Sequence, residues 1–124
     1  MNASSTQGIK TVLHPVSDVE RAKAVYVALL GIQPQTDSSY YVGFDAAGQH
    51  IGLVPGGGPQ GMTSPVAYWH VPDIEAKLVE VTAAGATVKE SARDVGGGRL
   101  VASVIDPDGN VLELIQDREE GRNG

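Results

Sequence analysis

The stretch Asp106-Pro107-Asp108-Gly109-Asn110-Val111-Leu112-Glu113-Leu114-Ile115 is the most informative part of this sequence. Pro107 fixes φ at the first corner of a turn, and Gly109 can adopt the left-handed conformation. The turn is flanked by two apolar segments, so the stretch predicts a tight β-hairpin. Glu113 stands between two leucines on the second strand, where a carboxylate points either to water or into a cavity.

Composition limits the classes of protein to consider. A length of 124 residues with 41% hydrophobic residues predicts one globular domain with a single core. The net charge of −6, without a basic cluster, argues against nucleic-acid and anionic-membrane partners. The lack of cysteine excludes disulfides, thiolate nucleophiles and Cys-ligated zinc. Neither a membrane span nor a signal-peptide core is visible, and we expect a cytoplasmic protein.

The sequence contains an internal duplication. Val16-Ser17-Asp18-Val19-Glu20 aligns with Val71-Pro72-Asp73-Ile74-Glu75, which lies 55 residues later. Each copy follows a predicted strand and begins a predicted helix, and a glycine ends each helix, at Gly31 and Gly85. Two similar strand–helix–strands modules predict an α+β domain.

Capping signals and apolar periodicity define the two helices. Ser17 and Glu20 match a capping box, with Ser17 as the N-cap, and Asp73 caps the second helix. The stripes expected to face the core are Val19, Ala22, Tyr26 and Leu29 in the first helix and Ile74, Leu78 and Val81 in the second.

These features resemble the vicinal-oxygen-chelate family, which includes glyoxalases, extradiol dioxygenases and bleomycin-resistance proteins. The Asp-Pro-Asp-Gly-Asn turn and its apolar–Glu–apolar strand resemble the family's closing strand. The segment from Pro15 to Tyr26, followed by Leu29-Leu30-Gly31, resembles its first module. The resemblance implies an α+β fold in which two β-α-β-β-β modules form a curved mixed sheet around a cavity.

The resemblance spans nearly the whole chain and gives expected boundaries. We expect one domain over residues 9–117, made of module one at 9–54, a Gly- and Pro-rich linker at 55–65 and module two at 66–117. Residues 1–8 and 118–124 are expected to be flexible tails.

The family's metalloenzymes place four ligands, usually His or Glu, on four strands. The corresponding positions here are Thr11, a place near Gly52, Val66 and Glu113. Only Glu113 can ligate a metal tightly, whereas zinc, nickel and iron need three or four such donors. We therefore predict no metal ligands and no cofactor.

A displaced metal site is the alternative to that prediction. His50 and His70 keep the strand parity of the family's ligand positions, although both are shifted along their strands. With Glu113 they would form a relocated triad for a divalent metal.

Strand parity also selects the candidate site residues. The predicted ligand-binding residues are Thr11, Leu13, His50, Tyr68, His70 and Ser103, with Ser103 opposite Glu113 if the hairpin is symmetric about Asp108. Glu113 is the candidate catalytic residue, because burial among apolar residues would raise its pKa and suit it to acid–base work.

Several alternatives stay open at these positions. Glu113 could instead be a carboxylate satisfied by a neighbour such as Ser103. His14 has the opposite parity and is expected to pack in the core beneath a helix, as is Trp69. Tyr40 and Tyr41 point to opposite faces, so only one of them can line a pocket.

The resemblance implies a function in small-molecule binding. The chain is closest in character to the bleomycin-resistance branch, which holds ligands without metal, commonly as homodimers with sites formed between chains. The alternative is a lyase, isomerase or dioxygenase of the same superfamily that uses a divalent metal or Glu113 as base. A third hypothesis is a non-catalytic interaction domain.

Overall fold

A computed structural model describes residues 6–58 and 61–117 of the chain. The elements in chain order are β1 (Gly8–Val16), α1 (Val19–Leu30), β2 (Thr36–Asp37), β3 (Val42–Ala46), β4 (Gln49–Pro55), β5 (Val66–His70), α2 (Ile74–Ala83), β6 (Thr87–Asp94), β7 (Leu100–Ile105) and β8 (Val111–Gln116). The order β-α-β-β-β therefore occurs twice, which confirms the predicted α+β fold of two modules.

The contacts divide the described residues into two compact units. The first unit, residues 10–67, contains a mixed sheet in the order β2-β3-β4-β1. Strands β3 and β4 are antiparallel, whereas β1 and β4 are parallel. Val42, Phe44 and Leu53 are buried on the side of this sheet that packs against α1.

The second unit comprises residues 6–9 and 68–117. Its mixed sheet has the order β5-β8-β7-β6, with β5 parallel to β8 and the other neighbours antiparallel. The helix α2 packs on one face of this sheet. The buried residues of that core are Val71, Ile74, Leu78, Ala102, Val104 and Leu114.

The hairpin turn between β7 and β8 is organised by Asp106. Its Oδ1 accepts hydrogen bonds from the backbone N–H groups of Asp108 and Asn110, each at 2.9 Å, and its Oδ2 accepts one from the Asn110 side chain at 2.9 Å. These bonds lower the pKa of Asp106, and the bond from the Asn110 side chain has the largest effect. Gly109 adopts a φ of 88°, as the sequence predicts.

The two helices begin in the same way, at residues 55 positions apart. Asp18 is the N-cap of α1 and accepts a bond from the backbone N–H of Arg21, and Asp73 does the same for Ala76 in α2. Asp73 thus confirms the prediction for α2, but the prediction of Ser17 as the first cap is wrong. Helix α1 begins one residue later than the capping-box pattern indicated, because Asp18 offers a carboxylate at the position equivalent to Asp73.

The predicted stripe of α1 is partly wrong. Leu29 is 72% exposed, whereas Val27 and Leu30 pack against the core. The buried face is centred on Val19, Tyr26 and Leu30, which leaves Leu29 at its edge. In α2, Ile74, Leu78 and Val81 contact the core as predicted.

Strands β2 and β6 depart from the regular pattern of the other strands. The two-residue strand β2 was not predicted, since two residues are too few to show an alternating pattern. Strand β6 covers Thr87–Asp94, longer than the average strand, and its pairing with β7 is irregular at two places. No helix in the described part of the chain is long and apolar enough to cross a membrane.

The α2 core provides a test of this packing. Ile74 is completely buried, whereas Val79 on the same helix is 68% exposed. We expect Ile74→Ala to lower the free energy of unfolding by about 2–5 kcal/mol, because it leaves a cavity. The matched control Val79→Ala should change it by less than about 0.5 kcal/mol. Urea unfolding followed by circular dichroism measures both, and equal losses would contradict this placement of α2.

Candidate functional site

A row of polar side chains crosses the sheet of the second unit. Tyr68 on β5 pairs with Glu113 on β8, Glu113 pairs with Ser103 on β7, and Ser103 pairs with Glu90 on β6. Residues paired across strands project from the same face, about 4.8 Å apart. We call Tyr68, Glu113, Ser103 and Glu90 the Glu113 row.

The Glu113 row lies on the face opposite α2. The residues that alternate with it, Ala102, Val104 and Leu114, belong to the core beneath α2. Ser103 and Tyr68 are nevertheless only 1% and 7% exposed, and Glu113 is half-buried. The pairing of Ser103 with Glu113 is the one that hairpin symmetry predicts.

Burial is the main influence on the carboxyl group of Glu113. It raises the pKa of Glu113, and the negative charge of Glu90 adds to the effect. The positive charges of Lys89 and Arg93 act in the opposite direction without cancelling it. Arg93 is itself engaged by Glu90, with 2.7 Å between its Nη1 and Oε1 of Glu90. The predicted direction of the Glu113 shift is confirmed.

Tyr68 and Glu113 influence each other electrostatically. Burial raises the pKa of the Tyr68 phenol, and the negative charge of Glu113 raises it further. The phenol therefore keeps its proton at neutral pH and can donate a hydrogen bond. The row thus places a hydroxyl donor on one side of a carboxyl group that holds its proton more tightly than usual.

The hydroxyl of Ser103 lies on the other side of Glu113. Its Oγ is buried and has no hydrogen-bond partner among the residues that the structure describes. The alternative in which Ser103 satisfies Glu113 is therefore wrong: the two side chains share a face, but no bond joins them. A buried hydroxyl without a partner costs roughly 1–3 kcal/mol, and a hydrogen bond from a further group would remove that cost.

His70 lies on the same face as Tyr68, two residues further along β5. It is buried, and its Nδ1 is 3.1 Å from Oδ2 of Asp117, whose other oxygen accepts a bond from Nε of Arg99. The His70 carbonyl accepts bonds from the backbone of Gln7 and the side chain of Thr6. His70 is thus held by carboxylate and backbone contacts, and its role in ligand binding stays a prediction.

The other predicted binding residues lie in the first unit. Thr11 and Leu13 on β1 are paired with His50 and Gly52 on β4, so all four positions share one face of that sheet. The opposite face packs on α1, where His14 contacts the Tyr26 ring as expected for a core position. Trp69, in the second unit, was expected to lie in the core, but its side chain is 38% exposed.

His50 is part of a hydrogen-bonded chain that the sequence did not reveal. Its Nε2 is 2.6 Å from the Tyr41 hydroxyl, and its Nδ1 is 2.7 Å from Oδ1 of Asp45. Tyr41 rather than the exposed Tyr40 makes this contact, which settles the parity left open by the sequence. The sequence does not show that Asp45 on β3 pairs with His50 on β4, and it is this pairing that brings the two side chains together.

The residues present do not fit a metal centre of the family's kind. Thr11, Gly52 and Val66 supply no strong donor at the positions that correspond to family ligands. Within residues 6–58 and 61–117, no three His, Asp or Glu side chains are grouped so that they could hold a metal ion. The displaced triad with Glu113 is thus not formed, and both ring nitrogens of His50 already have protein partners.

Comparison with known proteins identifies the family. The sequence profile of the Glyoxalase/Bleomycin resistance protein/Dioxygenase superfamily matches residues 8–114. No curated protein sequence matches the chain significantly.

Solved structures share the fold at low sequence identity. The hypothetical protein BH1468 from Bacillus halodurans C-125 superposes with a TM-score of 0.76 at 16% identity, over 96% of this chain and 99% of its own. Methylmalonyl-CoA epimerase from Mycobacterium tuberculosis superposes with a TM-score of 0.72 at 16% identity, over 100% of this chain and 97% of its own. The Mn(II)-bound glyoxalase from Novosphingobium aromaticivorans superposes with a TM-score of 0.64 at 21% identity, over 94% of this chain and 43% of its own.

The raised pKa of Glu113 makes a prediction about stability. The folded-state pKa lies above the unfolded one, so the contribution of Glu113 to stability is fully present below the unfolded pKa. It is lost as the pH rises through the folded-state pKa. The stability of Glu113→Gln relative to wild type should therefore increase as the pH is raised from 4 to 7.

Urea unfolding of both proteins at the two pH values measures this difference. A ¹³C NMR titration of the Glu113 carboxyl group provides the direct value. A folded-state pKa at or below the ordinary value of Glu, or a stability difference that is the same at both pH values, would contradict the effect of burial.

Proposed function

Because the chain belongs to the glyoxalase/bleomycin resistance protein/dioxygenase superfamily, we propose that it binds a small organic molecule on the Glu113 row without a metal ion. The observation that carries the proposal is the buried Ser103 hydroxyl, which lacks a hydrogen-bond partner in the described part of the chain. A ligand atom bonded to Ser103 would remove the cost of burying that group.

The neighbours of Ser103 indicate the kind of ligand. Tyr68 offers a phenolic donor and Glu113 a carboxyl group, while Val101 and Ile115, one pair further along the same face, offer buried apolar surface. Such a surface suits a compact ligand with an apolar body and a polar edge that bears a carbonyl or hydroxyl group. His70, which lies on the same face of β5 as Tyr68, stays in the proposal as a further ligand contact. The ligand-binding roles predicted for Thr11, Leu13 and His50, in the unit formed by residues 10–67, stay separate predictions on which the Glu113 row does not depend.

A second candidate function is metal-free acid–base catalysis by Glu113. The raised pKa of Glu113 favours it, because a carboxyl group shifted towards neutrality is a better match for proton transfer near pH 7. The reaction would be that of an isomerase or lyase in which Glu113 takes a proton from carbon next to a carbonyl. The similarity to methylmalonyl-CoA epimerase shows a shared fold only, and a shared fold does not assign a reaction to this chain.

The metal-dependent lyase or dioxygenase is not supported by the donor set. Glu113 has a phenol and a hydroxyl, not imidazoles, as its partners in the row. We further propose that the protein is a cytoplasmic homodimer whose linker at 55–65 separates module one from module two. The resemblance to bleomycin-resistance proteins supports the homodimer. The duplicated β-α-β-β-β order supports the division of the chain into two modules.

A ligand screen tests the proposal. Protein treated with a chelator is screened against small carbonyl and hydroxyl compounds by ligand-observed NMR, and affinities are measured by calorimetry. For any compound that binds, Ser103→Ala should weaken binding by about 5- to 100-fold, as expected for a lost hydrogen bond in a buried site. The control Ser91→Ala, at an exposed position on β6, should bind like wild type.

Two outcomes would overturn the proposal. One is binding that requires an added divalent metal, and the other is equal affinity of Ser103→Ala and wild type for every ligand found. Glu113→Gln distinguishes the two candidates: loss of turnover with retained affinity indicates catalysis, whereas binding without turnover in wild type indicates sequestration.

A further inference from the structure

We propose that the ligand of the Glu113 row is a small oxo- or hydroxycarboxylic acid, whose carbonyl or hydroxyl oxygen bonds to Ser103 and whose carboxylate is held by Arg93. The inference rests on the proposed function, because it names the class of ligand for the same site. It adds a requirement that the proposed function lacks, which is a negatively charged end on the ligand. Arg93 is then a residue that determines specificity.

A second row of side chains lies beside the Glu113 row. Arg93 on β6 pairs with Val101 on β7, Val101 pairs with Ile115 on β8, and Ile115 pairs with His70 on β5. We call these four residues the Arg93 row. On β5, β7 and β8 its members are two residues away from those of the Glu113 row, so both rows project from one face, about 7 Å apart along the strands.

The irregular pairing of β6 brings Arg93 to this face. Residues three apart on a regular strand point to opposite faces, yet Glu90 pairs with Ser103 and Arg93 with Val101, which share a face. The register shift between Glu90 and Arg93 accounts for the difference. Nη1 of Arg93 donates to Oε1 of Glu90 at 2.7 Å. The guanidinium is thus held towards the end of the Glu113 row.

The ion pair with Glu90 leaves Arg93 able to bind a ligand. The side chains of Arg93 and Glu90 are 42% and 52% exposed, so water competes with the pair and its two members separate easily. A guanidinium carries several N–H donors in a planar fork, and the bond to Glu90 is made by Nη1. The other donors of that fork match the two oxygens of a carboxylate.

Apolar surface lies between Arg93 and the far end of its row. Val101 and Ile115 are only 7% and 6% exposed, and Val101 is two residues from Ser103 on β7. A ligand with one oxygen at Ser103 and a carboxylate at Arg93 therefore lays its hydrocarbon part on Val101. This arrangement suits a short acid with its second polar group close to the carboxylate.

Charge favours a carboxylate at the Arg93 end of the row. At the other end, Nδ1 of His70 is 3.1 Å from Oδ2 of Asp117, so a carboxylate already lies there. The charged side chains of β6 that act on Glu113 are the cations Lys89 and Arg93 and the anion Glu90, which together leave a net positive charge. An anionic group of the ligand would balance that charge.

The groups nearest to Ser103 in its row do not oppose an anion when they hold their protons. Burial raises the pKa of Glu113 and the pKa of Tyr68. In their protonated forms both side chains are hydrogen-bond donors. The ligand oxygen at Ser103 is then met by O–H groups, while the charge of the ligand lies at Arg93.

Pairs of acids and esters test the inference on the wild-type protein. We would compare 2-oxohexanoate, 4-oxopentanoate and benzoylformate with their methyl esters at pH 6, by ligand-observed NMR and calorimetry. Each ester keeps the carbonyl group and loses the negative charge. At least one acid should bind about tenfold more tightly than its ester, because its carboxylate makes a charge-assisted bond to Arg93.

Variants assign that difference to Arg93. Arg93→Gln should weaken binding of the acid by about tenfold and leave the ester unchanged. Glu90→Gln removes the carboxylate that competes for Arg93 and should bind the acid at least as tightly as wild type. The control Arg21→Gln removes the same charge from an exposed position on α1 and should bind both compounds like wild type. Amide NMR spectra check that each variant is folded.

The outcomes distinguish this inference from the proposed function. If ligands bind through Ser103 but no acid binds more tightly than its ester, or if Arg93→Gln binds the acid like wild type, the inference is overturned and the proposed function stands. Acid binding that depends on Arg93 but is unchanged in Ser103→Ala overturns both. If none of the three acids binds, the inference is overturned and the wider ligand screen decides the proposed function.

Discussion

The register of the β7–β8 hairpin is the constraint on which the candidate site depends. A strand shifted by one residue would send Glu113 and Ser103 to the α2 core and bring Leu114 and Ala102 to the other face. Asp106 fixes this register, since its carboxylate holds the turn through Asp108 and Asn110. A local turn thus decides which side chains are presented for binding.

Burial then gives these side chains their chemical character. Glu113 has two cationic neighbours, Lys89 and Arg93, yet its pKa is raised, because removal of the carboxyl group from water outweighs them. Arg93 is itself paired with Glu90. The second unit therefore presents a carboxyl group, a phenol and a hydroxyl on one face, a set suited to hydrogen bonding and proton transfer more than to metal ligation.

Much of the fold was predictable because its signals are local. The turn residues at 106–110, the cap at Asp73 and the period-2 pattern of β8 each act over a few residues, and the structure bears them out. The cap of α1 was misplaced by one residue, since Ser17 and Asp18 are both good capping residues and sequence alone does not rank them.

The site was predictable only in part, because its contacts join distant residues. Hairpin symmetry placed Ser103 opposite Glu113, but the bond of His70 to Asp117 spans 47 positions and follows from no local pattern. The chain from Tyr41 through His50 to Asp45 depends on how β3 pairs with β4.

The most direct measurement is a crystal structure of the chelator-treated protein with the tightest ligand from the screen. The account predicts a ligand atom within about 3.2 Å of Oγ of Ser103, flanked by Tyr68 and Glu113, with no metal ion bridging it to the protein. A ligand bound elsewhere with Ser103 still unpartnered, or one attached through a metal ion, would contradict it.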